Sequence, residues 1–332
     1  MLGVCMLGFA HVHARGYAKM VADHPEAEIR CLWDNDPQRA QAAGEAWGAP
    51  AYTDIEAALS HPGVDAVVVA SVTKDHPWIY KAALAHGKHI YTEKVLTITL
   101  KDADEIVEAV RRAGIKFMIS LPSHVTSETL FLKQALEAGW LGRVTLMRAR
   151  VAHALGLTKR FQGDSAWFGD VEAAGGGAMF DLGCHIVDVM RWLLGKPKSV
   201  VAQMNSISGN YPIDENAAVV VEFESGALGV LECAWVQRLG PRPLEIYGTE
   251  GYVGRDPYGG LLLGSTQLEP QGVRGLIRVE NLPPAQPHPM EQWISAILHD
   301  TPMTITLDDA RNLTEMMKGM YTAWREGREY RF

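Results

Sequence analysis

Residues Leu2–His13 read LGVCMLGFAHVH, in which an apolar run, Leu2–Leu7, is followed by Gly8. The run Leu2–Leu7 is apolar at every position rather than at alternate ones, which is typical of a strand buried on both faces of a parallel sheet. Gly8 stands where the Gly-x-Gly-x-x-Gly loop of a dinucleotide-binding fold begins. Because Ala10 and His13 occupy the places of the second and third glycines, this loop alone fits a dinucleotide site and an ordinary strand-to-helix turn about equally.

Short apolar runs continue to alternate with helical periodicities up to about residue 122. Strands are predicted at Glu28–Trp33, Ala66–Ala70, His89–Tyr91 and Lys116–Ile119, and helices at Pro37–Trp47, His76–His86 and Lys101–Ala113. This alternation predicts an α/β fold with a doubly wound, parallel Rossmann sheet.

The pattern changes after Pro122, and period-two segments replace the alternation. Val219–Phe223, a Ser-Gly turn and Leu228–Trp235 predict an antiparallel hairpin, and Leu244–Val253 predicts a second one. Helices are predicted near the end of the chain, at about Met290–His299 and Leu307–Arg325. We therefore predict two domains: a dinucleotide-binding Rossmann domain at residues 1–122, and an α+β domain at 123–332 with an open, largely antiparallel sheet for substrate binding and oligomerisation.

Composition excludes several classes of protein. With 47% hydrophobic residues the chain folds, and its 31 basic against 39 acidic residues, without a basic cluster, exclude nucleic acid as an expected partner. The four cysteines form no Cys-x-x-Cys pair, so neither a disulfide framework nor a thiolate zinc site is expected, and a reducing cytoplasm fits best. No stretch approaches the ~20 apolar residues of a membrane span, so no membrane partner is expected.

A carboxylate follows the second predicted strand. Asp34 lies 26 residues beyond Gly8, where an acid accepts hydrogen bonds from an adenosine ribose and repels a 2′-phosphate. We therefore predict NAD as the cofactor and expect NADP to be disfavoured. Asp36 is expected to cap the helix that begins at Pro37.

Two further clusters carry chemistry. Glu93-Lys94 follows a strand at the edge where ligands bind in parallel sheets, although adjacent opposite charges are more often a surface ion pair. The segment Gly175–Asp188 reads GGGAMFDLGCHIVD. Asp181 and His185 are four residues apart and share a helix face. This pairing favours His185 as a general base over His185 as a histidine that only packs in the core.

Together these motifs resemble the glucose-fructose oxidoreductase and inositol dehydrogenase family, Gfo/Idh/MocA. The resemblance includes Gly8, Glu93-Lys94 and Gly175–Asp188, and extends to His76, His153 and the stretch at 139–142. It implies a Rossmann domain that binds a nicotinamide dinucleotide and an open-faced sheet that completes the substrate pocket.

The resemblance also implies roles for individual residues. Lys94 would hydrogen-bond the reacting oxygen, His185 would exchange its proton, and Asp181 would orient His185. Cofactor-binding residues are expected to be Gly8, Phe9, Ala10, His11, Val12, Asp34, Asn35, Ser71, Val72, Thr73, His76, Glu93 and Lys94. Substrate-binding residues are expected to be Lys94, His124, His153, Trp167, Asp181 and His185. Trp167 and Phe168 are both expected to stack on the substrate. Val95 departs from the family, which has a proline after the lysine.

The implied activity is NAD-dependent hydride transfer from a secondary hydroxyl of a sugar, polyol or related carbohydrate. The alternatives are an epimerase, lyase or glycosidase with transient oxidation and no net redox change, and a non-catalytic NAD or sugar sensor. Imidazoles and a carboxylate at His124, His153, Asp181 and His185 would suit zinc, but we expect no metal, since NAD and a base suffice. We expect a homo-oligomer, a dimer or a tetramer, because an open sheet leaves apolar surface to bury.

Overall fold

The computed structural model describes the whole chain, Met1–Phe332. It divides into two compact units. Unit 1 comprises Met1–Leu121, Phe161–Gly175 and Pro287–Thr314, and unit 2 comprises Pro122–Arg160, Gly176–Gln286 and Glu315–Phe332. The functional division into domains at 1–122 and 123–332 stays a prediction.

The elements follow in chain order. The strands are β1 Leu2–Leu7, β2 Ala27–Trp33, β3 Ala51–Tyr52, β4 Ala66–Val69, β5 His89–Thr92, β6 Phe117–Ile119, β7 Val144–Ala152, β8 Pro197–Asn205, β9 Asn216–Phe223, β10 Leu228–Ala234, β11 Leu244–Gly248, β12 Gly251–Arg255, β13 Leu261–Ser265, β14 Ile277–Val279 and β15 Tyr330–Arg331. The helices are α1 Ala14–Asp23, α2 Pro37–Trp47, α3 Ile55–Leu59, α4 His76–Ala85, α5 Leu100–Ala113, α6 Ser127–Glu137, α7 Val171–Ala174, α8 Cys184–Leu194, α9 Pro289–His299 and α10 Leu307–Glu326.

Unit 1 contains a parallel sheet of six strands in the order β3-β2-β1-β4-β5-β6. This order reverses direction beside β1, and ligands of doubly wound sheets bind at the carboxyl ends of the strands around such a reversal. Every residue of β1 and β4 is buried, as their continuous apolar runs predict. The predicted Rossmann sheet is confirmed, with β3 added to the strands expected.

Unit 2 contains a sheet of nine strands in the order β14-β13-β12-β11-β7-β10-β9-β8-β15. Both predicted hairpins are confirmed: β9 pairs with β10 and β11 with β12, each antiparallel. The sheet is mixed, because β7 and β10 run parallel. Along β9 buried and exposed side chains alternate, and α8 packs against β7 and β10, so one face of the sheet forms the core of unit 2.

None of the helices combines the length and the apolar character that crossing a lipid bilayer requires.

Candidate active site

The turn after β1 requires a glycine at its first position. Gly8 has a φ of +96°, and a Cβ there would lie 2.1 Å from the Ser71 hydroxyl oxygen. Ser71 is itself fixed, since its hydroxyl donates to the Leu7 carbonyl at 2.9 Å. The close approach of β1 and β4 therefore explains why this glycine is present although the later glycines of the motif are not.

Aromatic side chains of unit 1 pack on the loop that follows Gly8. The Trp167 indole donates to the Ala10 carbonyl at 3.2 Å and stacks on Phe168 with ring centroids 4.0 Å apart. Phe168 also lies 5.4 Å, centroid to centroid, from the His11 ring. The structure thus places Trp167, predicted to bind substrate, against the predicted dinucleotide loop.

Asp34 is buried and receives several hydrogen bonds. Its carboxylate accepts from the backbone N–H of Phe9 at 2.8 Å and of Asp36 at 2.9 Å. Arg39 adds a bidentate pair, with donor distances of 2.8 to 3.1 Å. Asp34 therefore ties the loop after β1 to the start of α2, and Asp36 caps α2 as predicted, accepting from Gln38 and Arg39.

These features fit a dinucleotide. The backbone of Gly8 lies against Ser71, and a Cβ at this position would prevent that contact. Helix α1 begins six residues after Gly8, so its N-terminus lies near the carboxyl end of β1. Asp34 supplies the acidic group suited to a ribose. Since Arg39 already occupies part of its acceptor capacity, a ribose hydroxyl would share Asp34 with the guanidinium.

Glu93 and Lys94 are both buried, with relative exposures of 1% and 5%, so they are not a surface ion pair. Glu93 Oε1 accepts from the Lys94 backbone N–H at 3.0 Å, and Oε2 meets Tyr17 and His13. Burial pushes the pKa of Glu93 upward, but the imidazoles of His11 and His13 and the Lys94 ammonium outweigh it and hold the pKa well below its usual range. Glu93 is therefore a buried, negatively charged carboxylate that contacts the loop after β1 through His13.

The segment after Lys94 is held by α4. His76 Nδ1 lies 3.2 Å from the carbonyl oxygens of both Val95 and Leu96, and the Tyr80 hydroxyl donates to Leu96 at 3.2 Å. Burial lowers the pKa of His76, which favours the neutral ring with Nδ1 as the donor. These contacts fix the chain at Val95, where the predicted family has a proline.

In unit 2, Gly176 and Gly177 of the Gly-rich segment make close contacts. A Cβ on Gly176 would meet the Tyr321 hydroxyl at 2.1 Å, and one on Gly177 would meet the Asp214 carbonyl oxygen at 2.0 Å. The Asp214 carboxylate accepts from Gly177 N–H at 2.7 Å, Met179 N–H at 3.0 Å and the Tyr321 hydroxyl at 2.8 Å. Asp214 and Tyr321 thus position the start of the segment that carries Asp181.

Asp181 lies in a π-helical turn, Met179–Gly183, and His185 is in the first turn of α8. Asp181 Oδ2 accepts a hydrogen bond of 3.0 Å from the Trp235 indole, which fixes the carboxylate. Burial lowers the pKa of His153, and the Asp181 charge opposes that shift. Unit 2 therefore brings Asp181 and His153 within electrostatic range, with His185 one turn further along the chain.

Comparison with known proteins identifies the family. Residues 2–121 match the oxidoreductase family with an NAD-binding Rossmann fold, and residues 129–254 match the GFO/IDH/MocA C-terminal domain. The 1,5-anhydro-D-fructose reductase of Ensifer adhaerens is 31% identical over 229 residues, which cover 66% of this chain and 67% of that protein. The chain belongs to the Gfo/Idh/MocA oxidoreductase family.

Other relatives agree with this assignment. The myo-inositol 2-dehydrogenase of Thermotoga maritima is 28% identical over 263 residues, which cover 77% of this chain and 75% of that protein. The solved structure of levoglucosan dehydrogenase in complex with NADH and L-sorbose has the same fold, with a TM-score of 0.85 and 20% identity over 100% of this chain and 98% of that one. As a Gfo/Idh/MocA protein the chain is an NAD-dependent oxidoreductase.

The structure places His124 in a buried cluster of unit 2. It is 1% exposed, its Nε2 lies 2.9 Å from Asp188 Oδ2, and its ring stacks on Trp192 at 4.4 Å between centroids. Lys133 lies over the same Trp192 ring, at 5.0 Å from its centroid. A substrate contact from His124 stays a prediction.

Sequence reasoning missed five residues that contact predicted site residues or the Gly-rich segment of this Gfo/Idh/MocA protein. Tyr17 and Arg39 lie in unit 1, and Asp214, Trp235 and Tyr321 lie in unit 2. Arg39 follows Asp34 by five positions on the first turn of α2, a spacing that the sequence shows. The other contacts join residues far apart in the chain, such as Tyr321 and Asp214 at a separation of 107. No local pattern signals them.

Proposed function

We propose that this Gfo/Idh/MocA protein transfers hydride between NAD and a secondary hydroxyl carbon of a sugar, polyol or related carbohydrate. The observation that carries the proposal is the shared substrate chemistry of its relatives. Their names specify 1,5-anhydro-D-fructose, myo-inositol, scyllo-inositol and D-apiose, all polyhydroxylated molecules. Because these names are all those of dehydrogenases or reductases, net oxidation or reduction is favoured over an epimerase, a lyase, a glycosidase or a sensor.

The proposed catalytic group is Lys94, Asp181 and His185. Bound NAD accepts or returns the hydride. Lys94 hydrogen-bonds the reacting oxygen and stabilises its developing negative charge, and His185 takes the hydroxyl proton as a general base. Asp181 orients the imidazole and supports its protonated form, and the Trp235 hydrogen bond to Asp181 supports this role.

The proposed NAD site is built on the loop after β1. Its residues are Gly8, Phe9, Ala10, His11, Val12, Asp34, Asn35, Ser71, Val72, Thr73, His76, Glu93 and Lys94. NAD is preferred to NADP because Asp34 would repel a 2′-phosphate, although Arg39 partly neutralises that charge. The proposed substrate-binding residues are Lys94, His124, His153, Trp167, Asp181 and His185, and His124 is the most deeply buried of them.

A binding screen followed by turnover tests this proposal. NAD with polyols, aldoses and keto-sugars should raise the melting temperature, and hits should change nicotinamide absorbance in step with substrate consumption. Substrate consumption at constant absorbance would instead indicate transient oxidation without net redox change. Stabilisation without any turnover would indicate a sensor.

Residues 1–122 are proposed as the NAD-binding domain and residues 123–332 as the domain for substrate binding and assembly. The open face of the unit 2 sheet carries exposed Val201, Val220, Leu228 and Tyr247. This apolar surface supports a homo-oligomer, a dimer or a tetramer. All four cysteines are buried thiols outside any disulfide, which supports a reducing compartment such as the cytoplasm.

A further inference from the structure

Three metal-ligating side chains converge beneath the loop after β1. His11, His13 and Glu93, here called the His-His-Glu cluster, each direct one donor atom to a common region, and these atoms lie within 4.8 Å of one another. Glu93 Oε2 is 2.9 Å from His13 Nδ1 and 3.6 Å from His11 Nδ1. All three residues belong to unit 1, at the carboxyl ends of β1 and β5.

We propose that the His-His-Glu cluster binds one divalent transition-metal ion of the Zn²⁺ type. Two imidazole nitrogens and one carboxylate oxygen are the donors that such ions prefer, and three protein ligands leave a fourth position for water or another ligand. Tetrahedral coordination needs donor atoms about 3.4 Å apart, since the bonds are ~2.0–2.1 Å long. The 2.9 and 3.6 Å separations bracket this value, and all three donor atoms lie within 4.8 Å of one another.

The surroundings of the cluster prepare it for a cation. Glu93 is 1% exposed, so its carboxylate is desolvated, and its Oε2 faces both imidazoles. The Lys94 backbone N–H holds Oε1 and the Tyr17 hydroxyl donates to Oε2, which fixes the carboxylate as the outer partners of metal ligands do. The His13 side chain is half exposed and leaves a route for the ion to enter.

Positive charge also faces the cluster. Lys94 and the N-terminus of α1 both disfavour a second cation, and the buried carboxylate is the group that opposes them. Binding therefore depends on Glu93 more strongly than it would at an exposed site.

The site goes beyond the proposed function, since neither hydride transfer nor the general base requires a metal. It also departs from the expectation of no metal that the sequence raises, and uses residues other than the four considered there. Its position matters because His11 and His13 belong to the loop that is proposed to hold NAD.

The test is metal titration of untagged, chelator-stripped protein without NAD. Co²⁺ should give the visible absorption of a nitrogen- and oxygen-ligated ion, saturating at one ion per chain, and Zn²⁺ should compete with a chromophoric chelator. His13→Gln and Glu93→Gln should each weaken Zn²⁺ binding by at least about 100-fold, because even outer partners of metal ligands contribute 10–100-fold.

The matched control is His86→Gln. His86 Nε2 lies 2.8 Å from Glu56 Oε2, a histidine-carboxylate pair of unit 1 without a second imidazole, and its loss should leave Zn²⁺ affinity unchanged. If burial of Glu93 prevents the Glu93→Gln variant from folding, His13→Gln decides alone, because that side chain is half exposed. Absence of stoichiometric binding in the wild-type protein, or wild-type affinity in His13→Gln, would overturn the proposal.

Discussion

At the scale of single residues, Asp34 has a structural role and a proposed role in binding the cofactor ribose, and its position in the sequence indicates only the second. Its carboxylate holds the loop after β1 through Phe9 and the start of α2 through Asp36 and Arg39. The same oxygens are the proposed ribose acceptors. The charge that is proposed to set cofactor preference is therefore partly neutralised by Arg39, and removal of Asp34 would release that guanidinium.

Asp34→Ala should shift cofactor preference toward NADP. The variant loses the ribose acceptor and frees Arg39 to meet a 2′-phosphate, so the ratio of NADP to NAD affinity should rise roughly tenfold, about the contribution of one charged hydrogen bond. Titration calorimetry with both cofactors measures this ratio. Asp36→Ala, which removes the α2 cap and a 3.5 Å ion pair with Arg39 but keeps the Asp34 carboxylate, should change the ratio far less. An unaltered ratio in Asp34→Ala would remove Asp34 from the ribose site.

His185→Ala should lower the rate of hydride transfer by ~10²–10⁴-fold, because general-base catalysis contributes on that scale. NAD affinity should stay almost constant. Asp181→Asn should act through His185, so the double variant should lose far less than the product of the two single losses. Single-turnover kinetics measure all three variants. Multiplicative losses would show that the two residues do not act as a pair.

The sequence predicted single residues well where the cause is local. Asp36 caps α2 because its carboxylate reaches N–H groups two and three residues ahead, which a sequence displays. The anchoring of Glu93 by Tyr17, 76 residues away, depends on the order of the strands. Adjacent charges at Glu93-Lys94 are typical of a surface, and only the placement of β5 beside β4 makes them buried.

At the scale of elements, continuous apolar runs and helical periods predicted most of unit 1. β1 was predicted at Leu2–Leu7 and α2 at Pro37–Trp47, the bounds that the structure has. β3 was missed because Ala51–Tyr52 is too short to show a period. The Gly-rich segment was predicted to be functional, but its close contacts with Asp214 and Tyr321 involve residues far along the chain, which no local pattern indicates.

Tyr321→Phe should destabilise the fold more at neutral than at acid pH. Burial raises the pKa of Asp214, so the stability that depends on its protonated form is lost as pH rises through that raised pKa. The Tyr321 hydroxyl favours the charged form, and its removal should cost about 1–3 kcal/mol of unfolding free energy where Asp214 is ionised. Below the pKa of Asp214 the cost should shrink.

Denaturant unfolding of Tyr321→Phe and the wild-type protein across this pH range measures the difference. Tyr258→Phe is the matched control, since Tyr258 is 95% exposed and its hydroxyl does not donate to a buried carboxylate. An unfolding free-energy difference that does not vary with pH would show that the Tyr321 hydroxyl does not stabilise the Asp214 charge.

At the scale of the whole molecule, the open sheet face of unit 2 is the feature that a monomer would leave exposed. Val201 pairs with Val220 across β8 and β9, and Leu228 pairs with Leu146 across β10 and β7. Directly opposed residues share a face, so these side chains and Tyr247, which pairs with Leu146, lie on one face of the sheet together with the Arg148–Glu232 ion pair. The strands of the unit 2 sheet were predicted from their period of two. The extent of the exposed face depends on the order of these strands, which the sequence does not show.

Val220→Glu should dissociate the proposed oligomer. Val220 is 39% exposed on the open face, between Val201 and Val230, so a carboxylate there would be buried without a partner on association. The wild-type protein should scatter light as a dimer or tetramer, and the variant should approach the 36.4 kDa of one chain. Ile207→Glu, at a 65% exposed position beyond the end of β8, should keep the wild-type mass. A wild-type monomer at micromolar concentration would instead mean that the apolar face of unit 2 stays exposed to solvent or serves a different partner.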